Sequence, residues 1–172
     1  MPRETFPNEC RVSLTPQNAA LLLKKGFSRV LVERQAGAAA QFPDAAYKDA
    51  GATVVESNDV WADSDILLKV RAPSMTPENN EVQKMREGGA LLSFLYPAQN
   101  KSLVDALAAR RTTSFAMDMI PRISRAQVFD ALRFVVSWAY IISMYLRRNG
   151  SHETDSLALA APWPILRATK RS

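Results

Sequence analysis

Asp65 to Asn100 reads DILLKVRAPSMTPENNEVQKMREGGALLSFLYPAQN, and this stretch decides the fold class. Ile66–Val70 and Ala90–Leu95 are near-continuous apolar runs. A strand covered on both faces needs such a run, and parallel sheets are built from strands of that kind. Pro73 stops the first run. Thr76-Pro77 then pairs a helix-capping threonine with a proline at the first helical position, which predicts a helix to about Arg86. Gly88-Gly89 closes it before the second run begins. Strand, helix and strand in this order make a βαβ unit.

The same alternation extends in both directions. Upstream, Thr15-Pro16 opens a helix through Lys25 that Gly26 ends. Arg29–Glu33 reads as a strand, Pro43-Asp44 starts a short helix closed by Gly51, and Thr53–Val55 is a second strand. Asn58–Ala62 is a helical turn. Downstream, Gln99–Arg111 is a helix with Leu103, Ala106 and Leu107 on one face, and Thr112–Met117 is a strand. A helical pattern resumes at Ser124 and runs to Arg148. The expected class is α/β, with a mostly parallel sheet and flanking helices. Residues 149–172 have no clear period and read as a loosely ordered tail.

Composition narrows the function classes. The chain has 172 residues, 47% hydrophobic and 23% charged, which rules out disorder throughout. A single cysteine, Cys10, cannot form an internal disulfide, and a single histidine, His152, leaves no Cys/His zinc site. The net charge of +5 invites a nucleic-acid reading, but its distribution opposes one. Residues 1–132 hold 16 basic and 15 acidic side chains, so the excess lies in residues 133–172. No nucleic-acid partner is expected. The N-terminus MPRETFPNEC has no apolar core of a signal peptide and makes a poor transit peptide. Phe134–Leu146 is too short to span a bilayer, which takes roughly 20 residues.

Open α/β sheets bind ligands beyond the carboxyl ends of their strands. Three segments qualify: Lys69–Pro73, Tyr96–Asn100 and Asp118–Asp130, and Arg11 can join them. No GxGxxG fingerprint, P-loop, nucleophile elbow or paired-cysteine motif is present. Met119–Asp130 is the densest polar cluster, with Arg122, Gln127 and Asp130 supplying a cation, an amide and an anion. An amide and a carboxylate suit a ligand carboxamide, and an arginine suits phosphate or ribose hydroxyls. The plainer alternative is a helix capped by Ser124 with an Arg–Asp surface pair. Lys69 is either a snorkelling lysine at a strand end or a cation facing the cleft. Tyr96 places its ring in the core with its hydroxyl at the rim. Asp118 is equally a strand-end turn residue, and Cys10 a plain near-terminal thiol.

Together, PRETFPNECRVSLTP, LLKVRAP, LLSFLYPAQN and TTSFAMDMIPRISRAQVFDAL resemble the N-terminal part of the proton-translocating NAD(P) transhydrogenases, the region shared with alanine dehydrogenase. The resemblance covers about residues 1–132, in order and spacing. It implies a Rossmann-like, flavodoxin-like subdomain of the NAD(H)-binding component, the alpha subunit. The family transfers a hydride between NAD(H) and NADP(H) and couples this to proton translocation. Arg122, Gln127, Asp130 and Ala131 match the loop around the nicotinamide end of NAD(H). No metal is implied, and the protein supplies no covalent catalysis. NADP(H) belongs to a component absent here, as do the second NAD-binding subdomain and the membrane component. The implied parent enzyme is a homodimer on the soluble side of an energy-transducing membrane. That membrane is the mitochondrial inner membrane, matrix side, or the bacterial inner membrane, cytoplasmic side.

Departures accompany the resemblance. At Arg133 the family continues with serine, and no likeness is found from there on, so 133–172 reads as a divergent helical and then loosely ordered tail. The family also usually has a short strand before the PRE segment. Arg11 and Lys69 match the carboxylate-binding positions of the alanine dehydrogenase branch. Its catalytic histidine falls near Tyr96, and residues 1–132 contain no histidine, which favours the transhydrogenase branch. The sequence therefore suggests a transhydrogenase fragment that is inactive alone. The alternative is a non-catalytic module acting in protein–protein association.

Overall fold

The computed structural model describes residues 1–120. Arg122, Gln127, Asp130, Ala131, the helix expected from Ser124 and the divergent tail lie outside the described residues. Within them, the order is α1 (Pro16–Lys24), β1 (Leu31–Glu33), α2 (Asp44–Asp49), β2 (Thr53–Val55), α3 (Ser57–Asp63), β3 (Ile66–Arg71), β4 (Met75–Thr76), β5 (Asn79–Asn80), α4 (Glu81–Lys84), β6 (Ala90–Phe94), α5 (Lys101–Ala109) and β7 (Thr113–Ala116). β1 pairs with β2, and β3-β6-β7 form a second sheet in that order; both are parallel. The α/β class with parallel sheets and flanking helices holds.

Alternation along β3 and β6 sorts the core into two layers, because successive side chains leave a strand on opposite faces. Leu68, Val70, Leu92 and Phe94 pack with Ala19 and Leu22 of α1 and Tyr47 of α2. Leu67 and Leu91 pack with Val60 and Trp61 of α3, Val82 of α4, and Leu103 and Leu107 of α5. Each face of the sheet is therefore covered, as the apolar runs demand. On the first face, the buried Tyr47 hydroxyl donates to Leu14 O at 2.8 Å, and burial pushes its pKa up to about 12.

Three helices stop by one device. At α1, Gly26 N donates to Leu23 O and Phe27 N to Leu22 O, with Gly26 at φ 100°. At α2, Gly51 N donates to Lys48 O and Ala52 N to Tyr47 O, with Gly51 at φ 86°. These paired bonds satisfy carbonyls that the helix leaves open and require a left-handed residue. α5 repeats the pattern through Arg111 and Thr112, but here Arg111 takes the left-handed position at φ 56°.

The helix expected over Thr76–Arg86 is corrected. Met75–Thr76 and Asn79–Asn80 form a two-residue antiparallel hairpin, and only Glu81–Lys84 is helical. Pro77 occupies the turn, a role its fixed φ fits as well as a helix start. Asn80 is the cap instead, its side chain accepting from Gln83 N at 3.2 Å. The Glu81 carboxylate holds the segment by accepting from Ser74 N at 2.9 Å and from the Asn79 amide at 3.3 Å.

Because a side chain in the left-handed region costs about 1 kcal/mol that glycine avoids, Arg111→Gly is expected to raise stability by about 0.5–1 kcal/mol. Urea denaturation followed by circular dichroism reads this directly. A loss of stability would show that the Arg111 side chain contributes more than its backbone costs.

Candidate functional site at the carboxyl end of the sheet

The residues preceding α1 cross the carboxyl end of β3 and bring two carboxylates with them. Glu4 accepts from Val70 N at 2.6 Å and from Arg71 N at 3.3 Å. Its other partner is Lys69, whose Nζ lies 3.3 Å from Glu4 and 3.3 Å from Glu81. The Lys69 side chain is 1% exposed, and its ammonium also stands 5.8 Å from the Trp61 ring centroid. Thr5 Oγ1 donates to the second oxygen of Glu81 at 3.0 Å. A buried ammonium thus sits between two buried carboxylates whose remaining oxygens are occupied by backbone and side-chain donors. Such satisfaction is what makes a buried ionic group tolerable.

Lys69 is therefore neither a snorkelling residue nor a cation open to a cleft. Alternation explains its direction: it shares the face of Leu67, towards α3 and α4. Sequence reading passed over Glu4 and Glu81. The usable signal was the lysine itself, since a charge inside an apolar strand requires a countercharge.

Outside this closed cluster lies a second, open one. Glu9 accepts from Arg11 Nε and Nη2, both at 2.7 Å, and from Arg71 Nε at 2.7 Å. The Glu9 side chain is 3% exposed against 55% for Arg11 and 37% for Arg71. Hydrogen bonds from Arg11 are the chief cause that lowers the Glu9 pKa to about 2, and Glu9 in turn raises that of Arg11. The Arg71 guanidinium lies 4.7 Å from the centroid of exposed Phe6. Arg11 and Arg71 are thus gathered at one rim, joined by a shared carboxylate.

β6 delivers Tyr96 to the same end of the sheet. Tyr96 is exposed and holds φ 47°, a left-handed conformation that costs a non-glycine residue about 1–3 kcal/mol. Tyr96 O accepts from Gln99 N and Asn100 N, and Asn100 Nδ2 donates to Leu95 O, so three hydrogen bonds hold the turn. Its ring packs against Phe94 but stands at the surface rather than in the core. Asp118 accepts from Leu95 N at 2.7 Å, which ties the exit of β7 to the exit of β6. It acts as the strand-end turn residue. Cys10 is exposed. Among the described residues, no group of three or more His, Cys, Asp or Glu side chains could hold a metal ion, and no helix is long and apolar enough to cross a membrane.

Removing the ammonium strands two buried carboxylates, so Lys69→Met is expected to cost about 3–5 kcal/mol, with part regained in Lys69→Met/Glu81→Gln. Equilibrium unfolding of both variants checks this; a near-neutral single variant would overturn the assigned role. Glu9 gives a pH signature. Its folded pKa is depressed, so its contribution is complete above its ordinary value of 4.5 and is lost as pH falls towards about 2. Glu9→Gln should flatten the acid limb of a Tm-against-pH curve in that window.

Comparison with known proteins places this geometry. Residues 1–139 match the family model described as alanine dehydrogenase/PNT, N-terminal domain. The NAD(P) transhydrogenase subunit alpha of Haemophilus influenzae is 46% identical over 132 residues, covering 77% of this chain and 25% of that protein. An alanine dehydrogenase of Mycobacterium tuberculosis is 40% identical over 121 residues, covering 70% and 31%. The crystal structure of a transhydrogenase from Sinorhizobium meliloti superposes with a TM-score of 0.69 at 37% identity, covering 76% of this chain and 37% of that one. This chain spans about a quarter to a third of the length of these curated relatives. It belongs to the family of alanine dehydrogenase/PNT N-terminal domains.

Proposed function

We propose that the chain contributes part of the NAD(H) site of an NAD(P) transhydrogenase, for hydride transfer between NAD(H) and NADP(H) coupled to proton translocation. The observation that carries this reading is the exit of β7. Ala116 leads into the turn Met117–Met119, which Asp118 holds against Leu95, beside Tyr96. The next residues open the segment that contains Arg122, Gln127, Asp130 and Ala131. Ligands of open α/β sheets bind beyond these strand ends. A strained, exposed tyrosine at the same rim supports a functional position there.

In this reading Gln127 and Asp130 hydrogen-bond the carboxamide, Arg122 binds phosphate or ribose hydroxyls, and the Ala131 backbone contacts the cofactor. The nicotinamide itself supplies the hydride. The protein positions it, and positioning is a large part of such catalysis. The 172 residues contain no glycine-rich fingerprint for a pyrophosphate. The second NAD-binding subdomain, the membrane component and the NADP(H)-binding component complete the enzyme in this proposal. So does a second copy, as a homodimer on the soluble side of an energy-transducing membrane. Residues 133–172 remain, in this reading, a divergent addition to the 1–132 domain.

Alanine dehydrogenase chemistry is less well supported. Lys69, at a carboxylate-binding position of that branch, is enclosed by Glu4 and Glu81. By the resemblance, the histidine of that branch falls near Tyr96.

The test is NADH binding to the 172-residue chain by calorimetry. Asp130→Ala is expected to weaken binding by about tenfold or more, while the chain alone shows no transhydrogenation. Equal affinity of wild type and variant, or a folded chain that binds no NADH, would sink the assignment. Pyruvate-dependent NADH oxidation at a clear rate would favour the alanine dehydrogenase branch.

A further inference from the structure

Tyr96 carries two features that a plain strand exit does not need. It holds φ 47° in the region that glycine and asparagine occupy at less cost, and Pro97 follows it, which restricts its backbone further. It is also 43% exposed, a large ring set at the surface. Strain of this kind persists only where the surroundings enforce it. Here Gln99 N, Asn100 N and Asn100 Nδ2 do so through the carbonyls of Tyr96 and Leu95.

The position is central, because β6 lies between β3 and β7. On the β3 side, Arg11 stands within electrostatic reach of the Tyr96 hydroxyl. On the β7 side, Asp118 accepts from the neighbouring Leu95 N at 2.7 Å. One side of the ring rests on Phe94, with centroids 6.3 Å apart and planes inclined by 30°. Phe94 is itself buried, in the same core cluster as Met117 of the turn after β7. The Tyr96 ring is therefore a fixed aromatic surface, backed by the core and set beside the turn that opens the segment of Arg122, Gln127 and Asp130.

We propose that Tyr96 is a positioning wall on which the nicotinamide ring stacks. The inference rests on the NAD(H) reading above and adds one contact to it. Gln127 and Asp130, holding a carboxamide, fix one edge of a planar ring and leave it free to turn about that edge. Hydride transfer needs the face of the ring held as well. An aromatic side chain supplies that contact, and the cofactor ring extends the pair that Phe94 and Tyr96 already form. The work is done by the ring of Tyr96 and not by its hydroxyl.

The experiment uses the 172-residue chain with NADH, read by calorimetry and by proton NMR of the dihydronicotinamide. Tyr96→Phe is expected to keep the wild-type affinity. Tyr96→Gly should lose about fivefold to tenfold while its Tm holds or rises, since glycine is at ease in the left-handed region. Wild type and Tyr96→Phe should shift the dihydronicotinamide ring protons upfield by ring current, and Tyr96→Gly should not. A merely structural role would not produce that signature. Should Tyr96→Gly fail to fold, Tyr96→Asn takes its place. Equal affinity of the glycine and wild-type proteins overturns the proposal, as does an equal loss in Tyr96→Phe, or ring protons that wild type leaves unshifted. Asp130→Ala separates this inference from the reading beneath it. A chain whose NADH affinity ignores Asp130 sinks both, whereas one that depends on Asp130 and ignores Tyr96 sinks the stacking wall alone.

Discussion

The ion cluster of Lys69, Glu4 and Glu81 is the constraint on which the rest of the domain depends. It joins the segment before α1, the middle of β3 and the start of α4. No single member is tolerable without the others, because a charge removed from water needs both a countercharge and hydrogen bonds. Glu81 fixes the hairpin between β3 and α4 through Ser74 and Asn79, and Glu4 occupies the backbone at the end of β3. At the carboxyl end of β3 the buried charges are consequently occupied by one another, and Tyr96 and Asp118 stand beyond β6 and β7.

That division bears on how one architecture serves relatives of two names. The transhydrogenase and alanine dehydrogenase relatives share this domain, so chemistry must differ at a few positions on a common frame. In this chain the arginines of the β3 rim are held by Glu9 and the lysine by two carboxylates. These positions are arranged among themselves, each cation answered by a carboxylate of the same chain. The exit of β7 is built differently. It is a short turn anchored at one carboxylate, leading directly into the segment richest in ligand-type side chains.

Much of the fold was legible because its signals are local. Apolar runs gave β3 and β6, and glycines at left-handed positions marked the ends of α1 and α2. Thr76-Pro77 misled because a proline fixes φ alike for a first helical turn and for a hairpin turn, and the deciding contact, the Glu81 carboxylate, is a tertiary one. The site was less legible for the same reason. Arg11 and Lys69 were visible as cations, but their partners Glu9, Glu4 and Glu81 carry no motif. Only the demand that a buried charge be compensated points to them, and it does not say which carboxylate answers.

The span of these contacts along the chain has a consequence for synthesis. Glu4 meets its backbone partner Val70 across 66 positions, and Thr5 meets Glu81 across 76. A ribosome releases the chain from the amino end, so Glu4 and Thr5 emerge long before Val70 and Glu81, which they bind. Through that interval Glu4 remains hydrated and costs nothing. Their attachment closes a loop containing α1, α2, α3 and three strands, and loop closure of that length is slow. The N-terminal segment is therefore made first and seated late, and the sheet end it covers stays open to solvent and to other chains until α4 has cleared the exit tunnel.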